Sequence, residues 1–211
     1  MATDDLHGNV PDKATTCMLI IDMINEFAFP GAEQMLASTV AVAKRIARLK
    51  SRAKSAGIPV VYVNDNFGKW QYDFNKLIGH CLQGHCRGQQ IVELLRPAED
   101  DYFVLKPKHS GFFCTPLELV LRFLGARRLI LTGVAGNSCV LYTAGDAYMR
   151  DFELVVPSDC VASLNPEDNS QALDHMKNML NAEIEPSTNP DSTVSTIMAD
   201  GRETVGQNRR K

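Results

Sequence analysis

Five short stretches of this chain are almost free of polar side chains: Cys17–Met23 (CMLIIDM), Pro59–Asp65 (PVVYVND), Tyr102–Lys106 (YFVLK), Arg128–Val134 (RLILTGV) and Glu153–Asp159 (ELVVPSD). Runs of this length, rich in β-branched and leucine side chains, suit strands buried on both faces. Helical periodicity fills the gaps between them. The longest such segment spans about 32–56, where Leu36, Val40, Ala43, Ala47 and Leu49 share a face and Gly57 offers a stop. In a second, Thr115 stands as N-cap, Pro116 at the first helical position and Glu118 three residues after the cap, the pattern of a capping box, and Gly125 closes the helix. His175–Ile184 reads as a last helix running into a sixth strand, and the polar segment from Pro186 onward as a flexible tail. Alternating strand and helix predicts right-handed βαβ units and therefore an α/β fold: a three-layer α/β/α, Rossmann-like domain around a six-stranded, mostly parallel sheet. In such sheets ligands gather beyond the carboxyl ends of the strands.

Length changes this picture little: 211 residues suit one domain, with a core over about 16–185 and flexible segments at either end. A net charge of −3 on an ordinary apolar and charged composition gives no electrostatic reason to expect nucleic acid or an anionic membrane as partner. A small-molecule substrate is the expectation. The opening MATDDLHGNVPDKATT carries acids and lacks an apolar core, and no run reaches membrane-spanning length, so a cytoplasmic location is the expectation. In that reducing compartment the six cysteines, Cys17, Cys81, Cys86, Cys114, Cys139 and Cys160, read as buried thiols rather than disulfides, with one of them available for chemistry.

That one is singled out by position. Asp22 follows LII, Lys106 follows FVL and Cys139 follows LILTGVAGNS, so three chemically potent residues reach the same edge of the sheet. Cys139 opens the helix VLYTAGDAYMR with Asn137 or Ser138 as cap. The helix dipole and a nearby lysine are expected to favour thiolate, and the aspartate to accept or relay the thiol proton. Gly133 and Gly136 permit tight backbone whose N–H groups can hold an oxyanion. Singly, each residue also has an ordinary reading: a packed core thiol, a turn cap, a solvated cation. Lys108, two residues on, competes with Lys106 for the role of site lysine. Asn66, Phe67 and Trp70, in the loop leaving the second strand, offer an amide and aromatic faces to a planar ligand. His109 either bonds substrate or packs. The His-Cys repeat His80–Cys81 and His85–Cys86 fits no standard structural zinc spacing, and no metal or other cofactor is expected.

The segments LIIDMINEF and LKPKHSGFF through VPSDCVAS, in this order, resemble the isochorismatase-like cysteine hydrolases, a family that includes nicotinamidases, N-carbamoylsarcosine amidases, ureidoacrylate and biuret hydrolases, and isochorismatases. The likeness covers about Thr16 to Ile184. It rests on D-x-x-x-x-F (Asp22, Phe27), K-P-x-x-S-x-F (Lys106, Pro107, Ser110, Phe112) and G-V-x-x-x-x-C-V (Gly133, Val134, Cys139, Val140). The resemblance implies an Asp22–Lys106–Cys139 triad and a cis peptide at Val134–Ala135. It also implies an oxyanion hole from the N–H groups of Ala135 and Cys139, Phe27 among the substrate-binding residues, and a homodimer or homotetramer. The implied reaction is C–N hydrolysis of a small amide, ureido or carbamoyl compound through a thioester, with Asp22 first protonating the leaving nitrogen and then acting as base for water. Vinyl-ether hydrolysis and a catalytically silent binding protein are the alternatives. The chain departs from the nicotinamidase metal motif D-x-H-x-x-x-x-x-H, because no histidine follows Asp65 in VNDNFGKWQYDF.

Overall fold

The computed structural model describes residues 12–68, 70, 73–82 and 86–199. The five apolar runs form strands β1 (Thr16–Ile21), β2 (Val60–Asp65), β3 (Tyr102–Lys106), β4 (Arg128–Val134) and β5 (Glu153–Val155). They lie in the order β3-β2-β1-β4-β5, a two-residue β6 (Val161–Ala162) pairs with the end of β4, and every pairing is parallel. All of β1 is buried, as its place between β2 and β4 requires.

Helices α1 (Ala32–Ser55), α2 (Phe74–Leu82) and α3 (Gln89–Leu94) pack with Met18, Ile20, Val60, Tyr62 and Ile130 on one face of the sheet. Helices α4 (Leu117–Leu124), α5 (Leu141–Tyr148) and α6 (Pro166–Leu180) pack with Leu19, Ile21, Val61, Val63, Leu129 and Leu131 on the other. The two-residue period of the strands thus deals alternate side chains to two cores, giving the three layers. Helix α4 starts one residue later than expected, with Pro116 as its N-cap; Thr115 Oγ1 still accepts from the Leu117 N–H at 3.1 Å, but Glu118 turns outward to Arg122 and Arg150 instead of closing a box. Asn165 caps α6, accepting from the Glu167 N–H, with Pro166 in the first turn.

Four expectations need correction. The buried stripe of α1 runs through Met35, Thr39, Val42, Ala43, Ile46, Leu49 and Ala53, so Leu36, Val40 and Ala47 flank it. The apolar run after Glu153 remains a strand only to Val155, because Pro157 lacks the N–H that a continuing ladder needs. The sixth strand is β6; the chain leaving α6 makes a single bridge, Glu183 to Val155. The segment after Pro186 is folded as far as Ala199. A helical stretch at 193–199 buries Val194, Ile197 and Met198 against α1, Ser187 donates to Asp159 from its N–H and its hydroxyl, and Arg52 donates to Ser187 O and Ser195 Oγ. Its three apolar residues are too sparse to show a period. The N-terminal arm, 1–11, lies outside the described residues. Among the described residues no helix is long and apolar enough to cross a membrane.

Candidate active site

The strand order brings β1 between β2 and β4, and the site forms where their carboxyl ends meet. Asp22 leaves β1 with a positive φ of 52°, a conformation that costs a non-glycine residue of the order of 1 kcal/mol and is found at functional turns. Its amide donates to Val63 O at 3.0 Å, and its Oδ1 accepts the Asp65 N–H at 2.7 Å, which ties the turn to β2. Lys106 ends β3, two strands away, and its fully buried side chain crosses the end of β2 to reach Asp22 Oδ2 at 2.8 Å. On the way Nζ passes 3.6 Å from Asp65 Oδ2.

Cys139 arrives from β4. Gly133, at φ 114°, lies so close to β1 that a Cβ there would sit 2.1 Å from Ile21 O, so only glycine admits this approach. The Val134–Ala135 peptide is cis. A wide π-type turn, Gly136–Val140, then runs into α5, with Ala135 as N-cap. Asn137 and Ser138 therefore lie inside the first turn and cap nothing: the Asn137 N–H donates to Ser163 Oγ and the Ser138 N–H to Ala135 O. The turn sets Cys139 Sγ 3.5 Å from Lys106 Nζ and in hydrogen-bonding contact with Asp22.

The electrostatics reverse one expectation. Burial, then the Asp22 carboxylate, push the Cys139 thiol up to about 12, and Lys106 only partly offsets them. Burial also raises the Asp22 carboxyl above the usual carboxylate range, against the pull of Lys106. Burial alone would lower Lys106, but Asp22, Cys139 and Asp65 around it hold its pKa above the ordinary value. Burial and the neighbouring Asp22 thus disfavour an anionic Cys139 more than the helix start and Lys106 favour it.

The segment after Lys106 closes the site. Gly111 has no room for a side chain, since a Cβ would meet Val63 Cγ1 at 2.8 Å, and its N–H donates to Thr143 Oγ1, which in turn donates to Cys139 O at 2.7 Å. Ser110 Oγ bonds Asp146 of α5. Lys108 is exposed and makes none of the contacts of Lys106. His109 stands at the mouth, with Nδ1 3.3 Å from Ser138 Oγ and 3.9 Å from Cys139 Sγ.

Other residues singled out in the sequence fall differently. Phe27 is fully buried, 5.8 Å from the Phe29 ring, so it presents no surface to a ligand. Asn66 Oδ1 is spent on the Gly68 N–H, and Phe67, at φ 50°, packs against the α1 core while its N–H donates to Asp65 Oδ1: this stretch is a tight turn before it is a binding surface. Trp70 is 75% exposed beside residues outside the described set. Cys17, Cys81 and Cys160 are buried, whereas Cys114 is exposed and Cys86 partly so. Among the described residues no group of three or more His, Cys, Asp or Glu could hold a metal ion; His80 sits 2.7 Å from Glu26, and His85 lies outside the described residues. Asp65 is the site residue that the sequence reading passed over. It too ends an apolar run, and that signal was available.

The isochorismatase domain model matches residues 16–186. The uncharacterized isochorismatase family protein YaaI of Bacillus subtilis (strain 168) is 43% identical over 172 residues, which are 82% of this chain and 94% of that protein. The ureidoacrylate amidohydrolase RutB of Methylobacterium radiotolerans is 30% identical over 74% of this chain and 70% of its own length. Among solved structures, N-carbamoylsarcosine amidase from Thermoplasma acidophilum superposes with a TM-score of 0.63 at 25% identity, covering 85% of this chain and 100% of that one.

Proposed function

The chain belongs to the isochorismatase family of hydrolases, and on that premise we propose that it is a cysteine hydrolase cleaving a C–N bond of a small amide, ureido or carbamoyl compound. One observation carries this reading: the meeting of Cys139 Sγ, Lys106 Nζ and the Asp22 carboxylate in one buried cluster. As Sγ attacks the carbonyl carbon, its proton passes to Asp22, whose raised pKa suits it to receive one. Lys106 keeps its charge and steadies whichever partner is anionic. The carbonyl electrons move to oxygen, and we assign its hydrogen-bond donors to the N–H groups of Ala135 and Cys139; the Asn137 N–H donates to Ser163 Oγ, and those of Ser138 and Val140 donate to Ala135 O. Asp22 then returns the proton to the departing nitrogen, leaving the acyl group on sulfur.

The likeness to a ureidoacrylate amidohydrolase and an N-carbamoylsarcosine amidase supports a carbamoyl or ureido substrate. Purified protein assayed for ammonia release with ureidoacrylate, N-carbamoylsarcosine and nicotinamide, and in parallel for isochorismate turnover, tests the reading. Ammonia released by wild type and lost in Cys139→Ala is the expected result. Isochorismate turnover that survives Cys139→Ala, with no amide cleaved, would replace this function by vinyl-ether hydrolysis.

A further inference from the structure

Asp65 is the accessible carboxylate of the cluster: 29% of its side chain is exposed, against 8% for Asp22 and none for Lys106. Its position is nevertheless fixed. It pairs with Lys106 in the register of β2 and β3, its N–H donates to Asp22 Oδ1 at 2.7 Å, and its own Oδ1 accepts the Phe67 N–H at 2.6 Å in the turn that follows. Among the described residues no group donates a hydrogen bond to Oδ2, and Lys106 Nζ, 3.6 Å away, stands beyond hydrogen-bond length. The same Nζ lies 3.5 Å from Cys139 Sγ. A carboxylate oxygen with acceptor capacity and the half-buried nucleophilic sulfur are therefore separated by no more than one ammonium group.

We propose that Asp65 is a specificity-determining residue: its Oδ2 accepts a hydrogen bond from the N–H of the amide, ureido or carbamoyl group under attack, and so selects a neutral, N–H-bearing group over an ester or acid of the same shape. This rests on the cysteine-hydrolase reading above. The substrate nitrogen is one bond from the carbon that meets Sγ, and an N–H···O bond spans about 2.9 Å, a reach that matches the separation set by Lys106. An ester oxygen in that place turns lone pairs toward a carboxylate, and an acid turns a second negative charge toward it. Both are disfavoured where an N–H is bound. The substrate class is thereby an amide or urea whose reacting end keeps at least one hydrogen on nitrogen.

The test needs no natural substrate. Iodoacetamide and methyl iodoacetate deliver the same carbon to a thiol, one beside a carbamoyl group with N–H donors, the other beside an ester of similar shape with none. The full chain is given an equimolar mixture, and the two products on the Cys139 peptide are quantified by mass. Exposed Cys114 in the same chain and free glutathione supply the reference ratio. In wild type the ratio at Cys139 is expected to favour iodoacetamide about tenfold over both references, the gain of one charge-assisted hydrogen bond. Asp65→Ala should return it to the reference ratio. Asp65→Asn keeps an oxygen for the Phe67 N–H but turns an NH2 donor to the site, so its ratio should fall to the reference or below; it preserves the turn should Asp65→Ala fail to fold. A wild-type ratio at Cys139 equal to the references would overturn the proposal. So would a wild-type ratio that persists in the variants while both rates shift together, which would leave Asp65 as a support for Lys106 alone. Ammonia release that survives Cys139→Ala would instead defeat the cysteine-hydrolase reading, an outcome on which the alkylation ratio does not depend.

Discussion

Lys106 holds its ammonium inside the protein with no exposed surface, a position that an unpaired cation does not tolerate. Asp22 and Asp65 make it tenable, and Cys139 shares the same small space, so a change at any one of these residues is felt by the others. This gives opposite expectations for two substitutions. Asp22→Asn removes the carboxylate that pushes the thiol pKa up and leaves Lys106 pulling it down, so the pH profile of Cys139 alkylation by iodoacetamide should move to lower pH. Turnover should nevertheless fall by about a hundred- to ten-thousandfold, because the proton acceptor is gone. Lys106→Met should move the alkylation profile to higher pH, and Lys108→Met should leave it in place. Equal profiles for Asp22→Asn and Lys106→Met would show that the three groups are not coupled as their distances imply. Asp22 and Cys139 were legible in the sequence because each follows an apolar run at a strand end. The sign of the thiol shift was not, because it depends on burial and on a carboxylate brought in by another strand.

Among the elements, the segment 106–112 and helix α5 act as one unit. Ser110 reaches Asp146, Gly111 reaches Thr143, and Thr143 reaches the carbonyl of Cys139, so β3 and the nucleophile turn are positioned together. Ser110→Ala leaves Asp146 without this donor and should cost about 2 kcal/mol, a fall in Tm of about 4–8 °C at this chain length. Activity should fall further than stability accounts for when both are measured well below Tm. Unchanged Tm and activity would make the bond incidental. The five principal strands and the two best-patterned helices could be read from the sequence because burial on two faces, or on one stripe, imprints a period. Strand order could not be read, so although Asp65 visibly ends an apolar run, its place beside Lys106 was not: its position on β2, between β1 and β3, brings the two together. A two-residue strand such as β6 has no period to read.

At the scale of the molecule, one parallel sheet divides two cores, and the site sits at the carboxyl edge between β1, whose connection runs to β2, and β4, whose connection runs the other way to β5. The C-terminal segment belongs to this body. Val194, Ile197 and Met198 are buried in the α1 core, and at about 1.5–3 kcal/mol for each fully buried side chain their loss amounts to roughly 5 kcal/mol, at the lower end of what a domain has in total. A chain ending at Glu185 should therefore show a Tm lower by more than about 10 °C or fail to fold. Retention of the full-length Tm would mean that the segment is not part of the core.

The central claim is that Cys139 carries the acyl group. The direct measurement is rapid acid quench during turnover of whichever amide the ammonia assay identifies, followed by intact-mass and peptide mapping. One acyl group on the peptide containing Cys139, absent from Cys139→Ala and disappearing as substrate is exhausted, is the expected result. Continued turnover by Cys139→Ala, or an acyl group mapped to a different residue, would contradict it.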